Sequence, residues 1–458
     1  MLESPSNAPR SNAAQVPFRK RPLAIIVILI LVGLAFPFIA RSGDLEKVFV
    51  EASRRLLDGR DMFKIEETAF TYPPAFALVT LPLVHAPLYV SRTVWYLFNA
   101  ACIVAFWWAS WRLCGGGRLE RKFEGDRVDW REYAIVAIGM VIGFRFLTDV
   151  LDHHQSDLMI AALVSVGGAL MLKGRWIAAA VLIGLAAGFK ATPLIFLPYF
   201  VIRGRIAASS TMLAVAIGVN LVPDLFSHPP QGGLWLTRWA EVILGPMLGR
   251  GQSGQWYTTP ILNQSLAGTI YRLTNFAWPI SGRYFHPEQI TPRLDPAIIK
   301  ALTHGAQALV LLTGFGVLLR ANWRTSSPVP VSGRPEESSG AWPTKIGLEC
   351  GALMLMMVLV SPASSKPHFV IVLLPAYCLA RLALYGRSRV AGAALVVAAV
   401  ASLVSHRSLT GAAFGNGAQW AGALTWLALV LLFGVLAALW TLRPEENKPV
   451  STLPSSPC

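Results

Sequence analysis

Apolar runs long enough to cross a bilayer recur from one end of this chain to the other, with short basic segments between them, and that alternation leaves few folds open. The first run, residues 22–40, follows Arg19, Lys20 and Arg21. At about 19 residues it is longer than the core of a signal peptide, and no clear small-residue cleavage site precedes the charged stretch behind it. It therefore reads as a retained anchor helix with the N-terminus inside. Further runs occupy residues 73–113, 132–150, 156–173, 206–223, 297–319, 346–360, 368–386, 389–405 and 420–442. Two shorter pieces, 176–189 and 193–202, are split at Lys190-Ala191-Thr192-Pro193. Within a bilayer the backbone must satisfy its own hydrogen bonds, so runs of this kind are helices. The expectation is an all-α polytopic membrane protein, a bundle of about 10–12 transmembrane helices, with amphipathic helices in its outer loops. With 54% hydrophobic and 14% charged residues, the chain falls well short of the roughly 25% charge of soluble domains.

A net charge of +15 would suggest nucleic acid in a soluble protein. Here most Lys and Arg sit between apolar runs, as the positive-inside rule predicts, so membrane lipid and not nucleic acid is the expected partner. The cysteines, at 102, 114, 350, 378 and 458, show no metal-binding spacing. Residues 1–18 read as a disordered cytosolic tail, 19–442 as one transmembrane domain, and 443–458 as a second cytosolic tail. Inside the domain, 41–72 and 225–295 are outer loops and 320–345 is a cytosolic linker. One parity problem stays open. The run 73–113 is long enough for two crossings, yet the basic linker 112–131 after it belongs inside. Either 73–88 is a short re-entrant segment or that linker departs from the charge rule.

The outer loops carry the polar chemistry. Residues 41–74 hold 13 charged residues, which places the stretch at a water face. Within it, Leu45, Val48, Phe49, Ala52 and Leu56 form one stripe of a helix over 44–58 that Gly59 is placed to stop. Such a helix is expected to lie flat on the membrane surface. Asp44, at its start, is either a helix cap or a general base for an attacking hydroxyl. A second polar cluster, Asp152, His153, His154 and Asp157 in the turn 152–157, is either a hairpin tip or a contact for substrate hydroxyl or phosphate; adjacent histidines are a weak metal signal. Lys190, in an apolar setting, either snorkels to the interface or meets a phosphate. Lys366 and His368 would add charge to the same anion. Asn263 and Gln264 are candidates for sugar hydroxyls. Trp235, Trp239 and Trp256 either stack on sugar or anchor the second loop, and anchoring is favoured. Phosphate loops of the nucleotide-binding types and the HExxH metal motif do not occur in the sequence.

Several of these features, in order, resemble glycosyltransferase family 87, multi-spanning enzymes of the GT-C type that include bacterial α-mannosyltransferases. The marks are Gly43-Asp44 after the first run; Ala52 followed by Leu56, Leu57, Gly59, Asp61 and Phe63; and Phe70-Thr71-Tyr72-Pro73-Pro74. Then come His154-Gln155-Ser156-Asp157, where the family usually has Gly-Gln-x-Asn, and Gly184-Leu185-Ala186-Ala187-Gly188-Phe189-Lys190-Ala191-Thr192-Pro193. Asn263-Gln264-Ser265-Leu266-Ala267-Gly268 and Ser361-Pro362-Ala363-Ser364 with His368 complete the series. The chain departs from the family pattern at His154, at Asp157 and in Lys366-Pro367 before a single histidine. The resemblance implies an inverting hexosyltransferase, a mannosyltransferase in the first instance, in the cytoplasmic membrane of a bacterium with its site on the outer face. Its donor would be a polyprenyl-phosphate sugar and its acceptor a glycolipid or glycan. Asp44 would be the base. Lys190, and with it Lys366, His368, His153, His154, Asp157, Asn263 and Gln264, would bind phosphate or substrate, while Tyr72, Trp235 and Trp256 would belong to the acceptor loop. A lipid phosphate is already a fair leaving group, so no cofactor or obligatory metal is implied. The competing class is a transporter or flippase, which should show internal repeats with matching broken helices; no such repeat is evident.

Overall fold

The computed structural model describes residues 35–64, 70–116, 129–246, 260–275, 294–324 and 343–441. The fold is all α, with no strand among the described residues. The first apolar run lies mostly outside them; its last residues, 35–40, are helical. A π-helical turn, Leu45–Val50, continues into α1, Glu51–Leu57. Gly59, at φ +64°, ends α1 in the left-handed conformation that suits glycine. The five residues of the expected stripe are all buried, but they do not face lipid. Phe49 packs edge-on against Tyr72 and Phe76, at 5.3 and 4.7 Å between ring centres. The stripe is thus sealed onto the protein itself, which corrects the expectation of a helix floating on the membrane surface.

Residues 73–88 do not cross. Helix α2, Phe76–Thr80, and a 3-10 turn, Leu81–Leu83, together rise only about 14 Å, less than half a hydrocarbon core. Pro87, extended at ψ 146°, then starts α3, Leu88–Leu113. The 73–113 run therefore holds one helix long enough to cross, preceded by a short segment that is not, which fits the first of the two alternatives the sequence left open.

The remaining helices are α4 (Trp130–Asp152), α5 (Asp157–Leu172), α6 (Trp176–Phe189), α7 (Phe196–Ile202), α8 (Ile206–Leu221), α9 (Trp235–Trp239), α10 (Leu266–Asn275), α11 (Pro296–Arg324), α12 (Lys345–Val360), α13 (Leu373–Leu384), α14 (Arg389–Val404), α15 (Arg407–Thr410), α16 (Ala412–Trp420) and α17 (Ala423–Thr441). Six segments are long and apolar enough to span a membrane, and four shorter apolar helices accompany them among the described residues. In one row α3 packs on α5, α5 on α6, and α6 on α8. In a second group α4 packs on α13, α13 on α14, α14 on α17, and α17 on α12. Close approach within the first row depends on small residues: a Cβ on Gly184 would sit 2.8 Å from the Met212 carbonyl oxygen. The two groups meet where α12, buried along nearly its whole length, touches α5 and the 3-10 segment Lys366–Val372. At that seam the chain breaks helix geometry twice, once at Lys190 (φ −152°, ψ 115°) and once at Ser361–Ser365.

Candidate functional site

The site is assembled by a close approach of two loops. The Asp44 amide donates to the His153 carbonyl at 3.0 Å. Gly43 permits this, since a Cβ there would lie 2.7 Å from that oxygen and 2.8 Å from the His154 ring. His154 has φ +54°. Holding a non-glycine residue in the left-handed region costs about 1 kcal/mol, and the surroundings fix it there. Its Nε2 is 2.8 Å from the Phe38 carbonyl, and its own carbonyl accepts from Trp95 Nε1 at 3.0 Å. This backbone explains why a family pattern would carry glycine at this position. His154 is buried, and His153 is exposed beside it.

Asp44 makes no side-chain cap to the helix that follows it. Its carboxylate accepts instead from Gln155 Nε2, and Gln155 Oε1 accepts from the Tyr72 hydroxyl at 3.0 Å. Gln155 thus spans the base candidate and the Tyr-Pro-Pro loop. Burial pushes the Asp44 carboxyl above the ordinary carboxylate range, and His153, the Gln155 bond and His154 only partly offset it. Two residues on, Glu46 behaves differently. Burial pushes it up too, but the Arg92 guanidinium and the Gly43 amide hold it below its usual value overall. Arg92 also donates to the Ile39 and Ala40 carbonyls, fastening the end of the first run to this corner.

Across Gln155 lies a cleft lined by Asp157, Lys190, Thr192, Met357, Ser364 and His368. Lys190 Nζ donates to Asp157 Oδ1 at 2.6 Å and sits 5.5 Å from the centre of the Tyr72 ring. The lysine does not snorkel; it is turned inward, with two N–H donors beyond the one that Asp157 takes. His368 Nδ1 is 3.0 Å from Ser365 Oγ and 3.8 Å from Asp157 Oδ2. Asn220 sets the lysine's height in the fold: its side chain takes the Ala75 amide at 2.9 Å and donates to the Gly188 carbonyl at 2.9 Å. Asp44, Tyr72, Gln155, Asp157, Lys190 and His368 therefore form one connected constellation: a carboxylate with a raised pKa on one side, and a lysine and a histidine on the other.

Other sequence candidates have different surroundings. Asn263 and Gln264 are fully buried and bonded to backbone. Asn263 donates to the Pro362 carbonyl at 2.9 Å and accepts from the Ser364 and Ser265 amides. Gln264 donates to the Ile261 and Gln419 carbonyls. They bind the 260–275 segment to the Ser361–Ser365 turn and to Gln419, and present no amide to a sugar. Trp235 is fully buried, with Nε1 on the Ser227 carbonyl at 2.7 Å, and Trp239 Nε1 holds the Thr71 carbonyl at 3.0 Å; both are anchors. Asp61 is occupied by Arg238 at 2.7 Å. Lys366 does not join His368. In a 3-10 segment, at three residues per turn, residues two apart point about 120° away from each other, and the charges acting on Lys366 are those of Asp149, Arg145 and Arg407. Trp256 lies outside the described residues. Gln155, Glu46, Arg92 and Asn220 were not among the candidates read from the sequence. Glu46 and Arg92 carried a charge signal, and Gln155 stood in the His154–Asp157 motif; Asn220 gave none. Among the described residues, no three His, Cys, Asp or Glu side chains gather as they would around a metal ion.

Fold and site together define a polytopic helical membrane protein with a carboxylate, a lysine and a histidine in one cleft. The model of glycosyltransferase family 87 matches residues 70–362, more than half of the sequence. The chain belongs to that family. It is 26% identical over 243 residues to the polyprenol-phosphate-mannose-dependent alpha-(1-2)-phosphatidylinositol pentamannoside mannosyltransferase of Mycobacterium tuberculosis (strain CDC 1551 / Oshkosh), a match covering 48% of this chain and 53% of that protein. It is 29% identical over 235 residues to the protein of the same description from Mycolicibacterium smegmatis, covering 47% of this chain and 52% of the relative. The chain thus spans about half the length of the curated relatives it matches. No solved structure matches it.

Proposed function

We propose that this protein transfers mannose from polyprenyl phosphate to a hydroxyl of a glycolipid or glycan acceptor, with inversion, at the outer face of a bacterial cytoplasmic membrane. Asp44 carries this reading: a half-buried carboxylate, oriented by Gln155, whose Oε1 accepts from the Tyr72 hydroxyl, with the Tyr72 ring in turn 5.5 Å from Lys190 Nζ. Its raised pKa makes it a stronger base than a free carboxylate.

The acceptor hydroxyl gives its proton to Asp44 as its oxygen attacks the anomeric carbon from the face opposite the phosphate. The bond from that carbon to the phosphate oxygen breaks, and the electron pair leaves with polyprenyl phosphate. Lys190, held by Asp157 and the Tyr72 ring, donates its other N–H groups to the departing phosphate, and His368 stands beside it. The step as proposed uses no metal or cofactor. With 73–88 folded back and 22–40 and 88–113 each crossing once, the basic linker after α3 returns to the side of the N-terminus. The Asp44 corner then faces the opposite side, away from the cytosol.

The test is transfer from polyprenyl-phosphate-[14C]mannose to a panel of mannosylated lipids and glycans by purified protein in nanodiscs. A radiolabelled product with the inverted anomeric configuration is expected. Movement of labelled lipid across the bilayer without any product would refute the transferase reading in favour of a flippase.

A further inference from the structure

A second cationic group lies beside the Lys190 cleft and is not part of it. Arg145, two turns from the end of the apolar helix α4, donates through Nη1 to the Ser402 carbonyl at 2.8 Å and to Ser405 Oγ at 2.7 Å. Its Nε is buried without a hydrogen-bond partner. Lys366 shares its electrostatic surroundings with Arg145, Arg407 and Asp149, and His406 with Arg145, Asp149 and Lys366. His406 Nδ1 is also buried and unpartnered. Among the described residues none of Arg145, Lys366 and Arg407 forms an ion pair, and Asp149 is the one carboxylate among the charges acting on Lys366. Three cations against one carboxylate leave an excess of positive charge where Arg407 is exposed and Lys366 is partly open. Asp149 acts on the buried Arg145 guanidinium as well, so one carboxylate is shared among these cations, and a guanidinium buried with an unpartnered Nε is costly unless a further anion completes it.

The position matters as much as the charge. The 153–157 loop is tied to both groups: it follows directly from the end of α4 that carries Arg145 and Asp149, and its Asp157 holds Lys190. Asp44 is attached to this loop. We propose that Arg145, Lys366 and Arg407 form a second anion site that binds the phosphate group of a membrane lipid. Under the transferase reading, on which this assignment of substrates rests, it takes the acceptor's phosphodiester while Lys190 takes the donor's phosphate. Two lipid-borne substrates would then be held by their phosphates at the loop to which the base is attached.

The site is tested by titrating full-length protein in detergent with dioctanoyl phosphatidylinositol, reading occupancy by native mass spectrometry, with uncharged dioctanoylglycerol as control. Lys366→Gln and Arg407→Gln should each weaken phosphatidylinositol binding about tenfold and leave dioctanoylglycerol binding unchanged, while Lys190→Gln should leave phosphatidylinositol binding intact. Unchanged binding in Lys366→Gln and Arg407→Gln, or an equal loss in Lys190→Gln, would overturn the proposal. Full displacement of the lipid by equimolar inorganic phosphate would assign the site to free phosphate and overturn the lipid. The readout needs no turnover. Selective binding without sugar transfer keeps this site and sinks the transferase; transfer without selective binding does the reverse.

Discussion

The role of Gly43 can be tested by adding one methyl group. In Gly43→Ala the new Cβ would stand 2.7 Å from the His153 carbonyl oxygen and 2.8 Å from both the His153 carbonyl carbon and His154 Cγ. Two of these are backbone atoms and cannot swing aside as a side-chain tip can. Relief to ordinary contact distance requires a shift of about 0.5–1 Å. The oxygen that must retreat is the one that accepts the Asp44 amide, so the loop contact that places the base gives way first. Overpacking of this kind costs about 1–3 kcal/mol in stability, and a misplacement near 1 Å costs about 100-fold in rate. Transfer kinetics in nanodiscs should show kcat down about 100-fold with the donor KM little changed, because the Lys190 cleft lies across Gln155 from the clash. Thermal unfolding of the same samples should show the protein still folded. Activity within about twofold of wild type would refute the argument that the contact between these loops positions Asp44.

Replacing Gln155 by Leu removes a hydrogen bond that lowers the Asp44 pKa; the acid limb of kcat/KM, already above the free-carboxylate range, should move to still higher pH, and an unmoved limb would count against Asp44 as the titrating base. Asp157→Asn removes the carboxylate that holds Lys190; the donor KM should rise about tenfold and the melting temperature without donor should drop, whereas a lowered KM would mean that the carboxylate competes with phosphate for the lysine. Asn263→Ala leaves the Ser364 and Ser265 amides and the Pro362 carbonyl without their partner; a loss of about 2–4 kcal/mol in stability is expected, read by thermal unfolding, and a raised acceptor KM in a protein of unchanged stability would return the residue to the sugar site.

Much of the frame was legible because the bilayer imposes simple rules. Apolar run length located the spanning helices, and the charged stretch after the first run located the corner that holds Asp44. The stripe of Leu45, Val48, Phe49, Ala52 and Leu56 was readable from helical periodicity, but not its covering, because protein and lipid make the same apolar demand. The status of residues 73–88 turned on Pro82 and Pro87, whose effect on an apolar run depends on what packs around it. Asn263 and Gln264 looked like sugar ligands because an amide's type does not say whether it meets solvent or backbone. Lys366 and His368 looked like partners because they are close in sequence; the 3-10 geometry that parts them is set by tertiary packing. Arg145, inside an apolar run, was a signal that went unused: such a residue implies a polar neighbour or a ligand.

The most direct test of the account is the transfer assay on Asp44→Asn, which keeps the shape and the hydrogen bond to Gln155 but cannot take a proton. The account predicts donor binding and melting temperature close to wild type, with kcat reduced about 100- to 10,000-fold. Transfer persisting within tenfold of wild type in a protein with the same melting temperature would contradict Asp44 as the base.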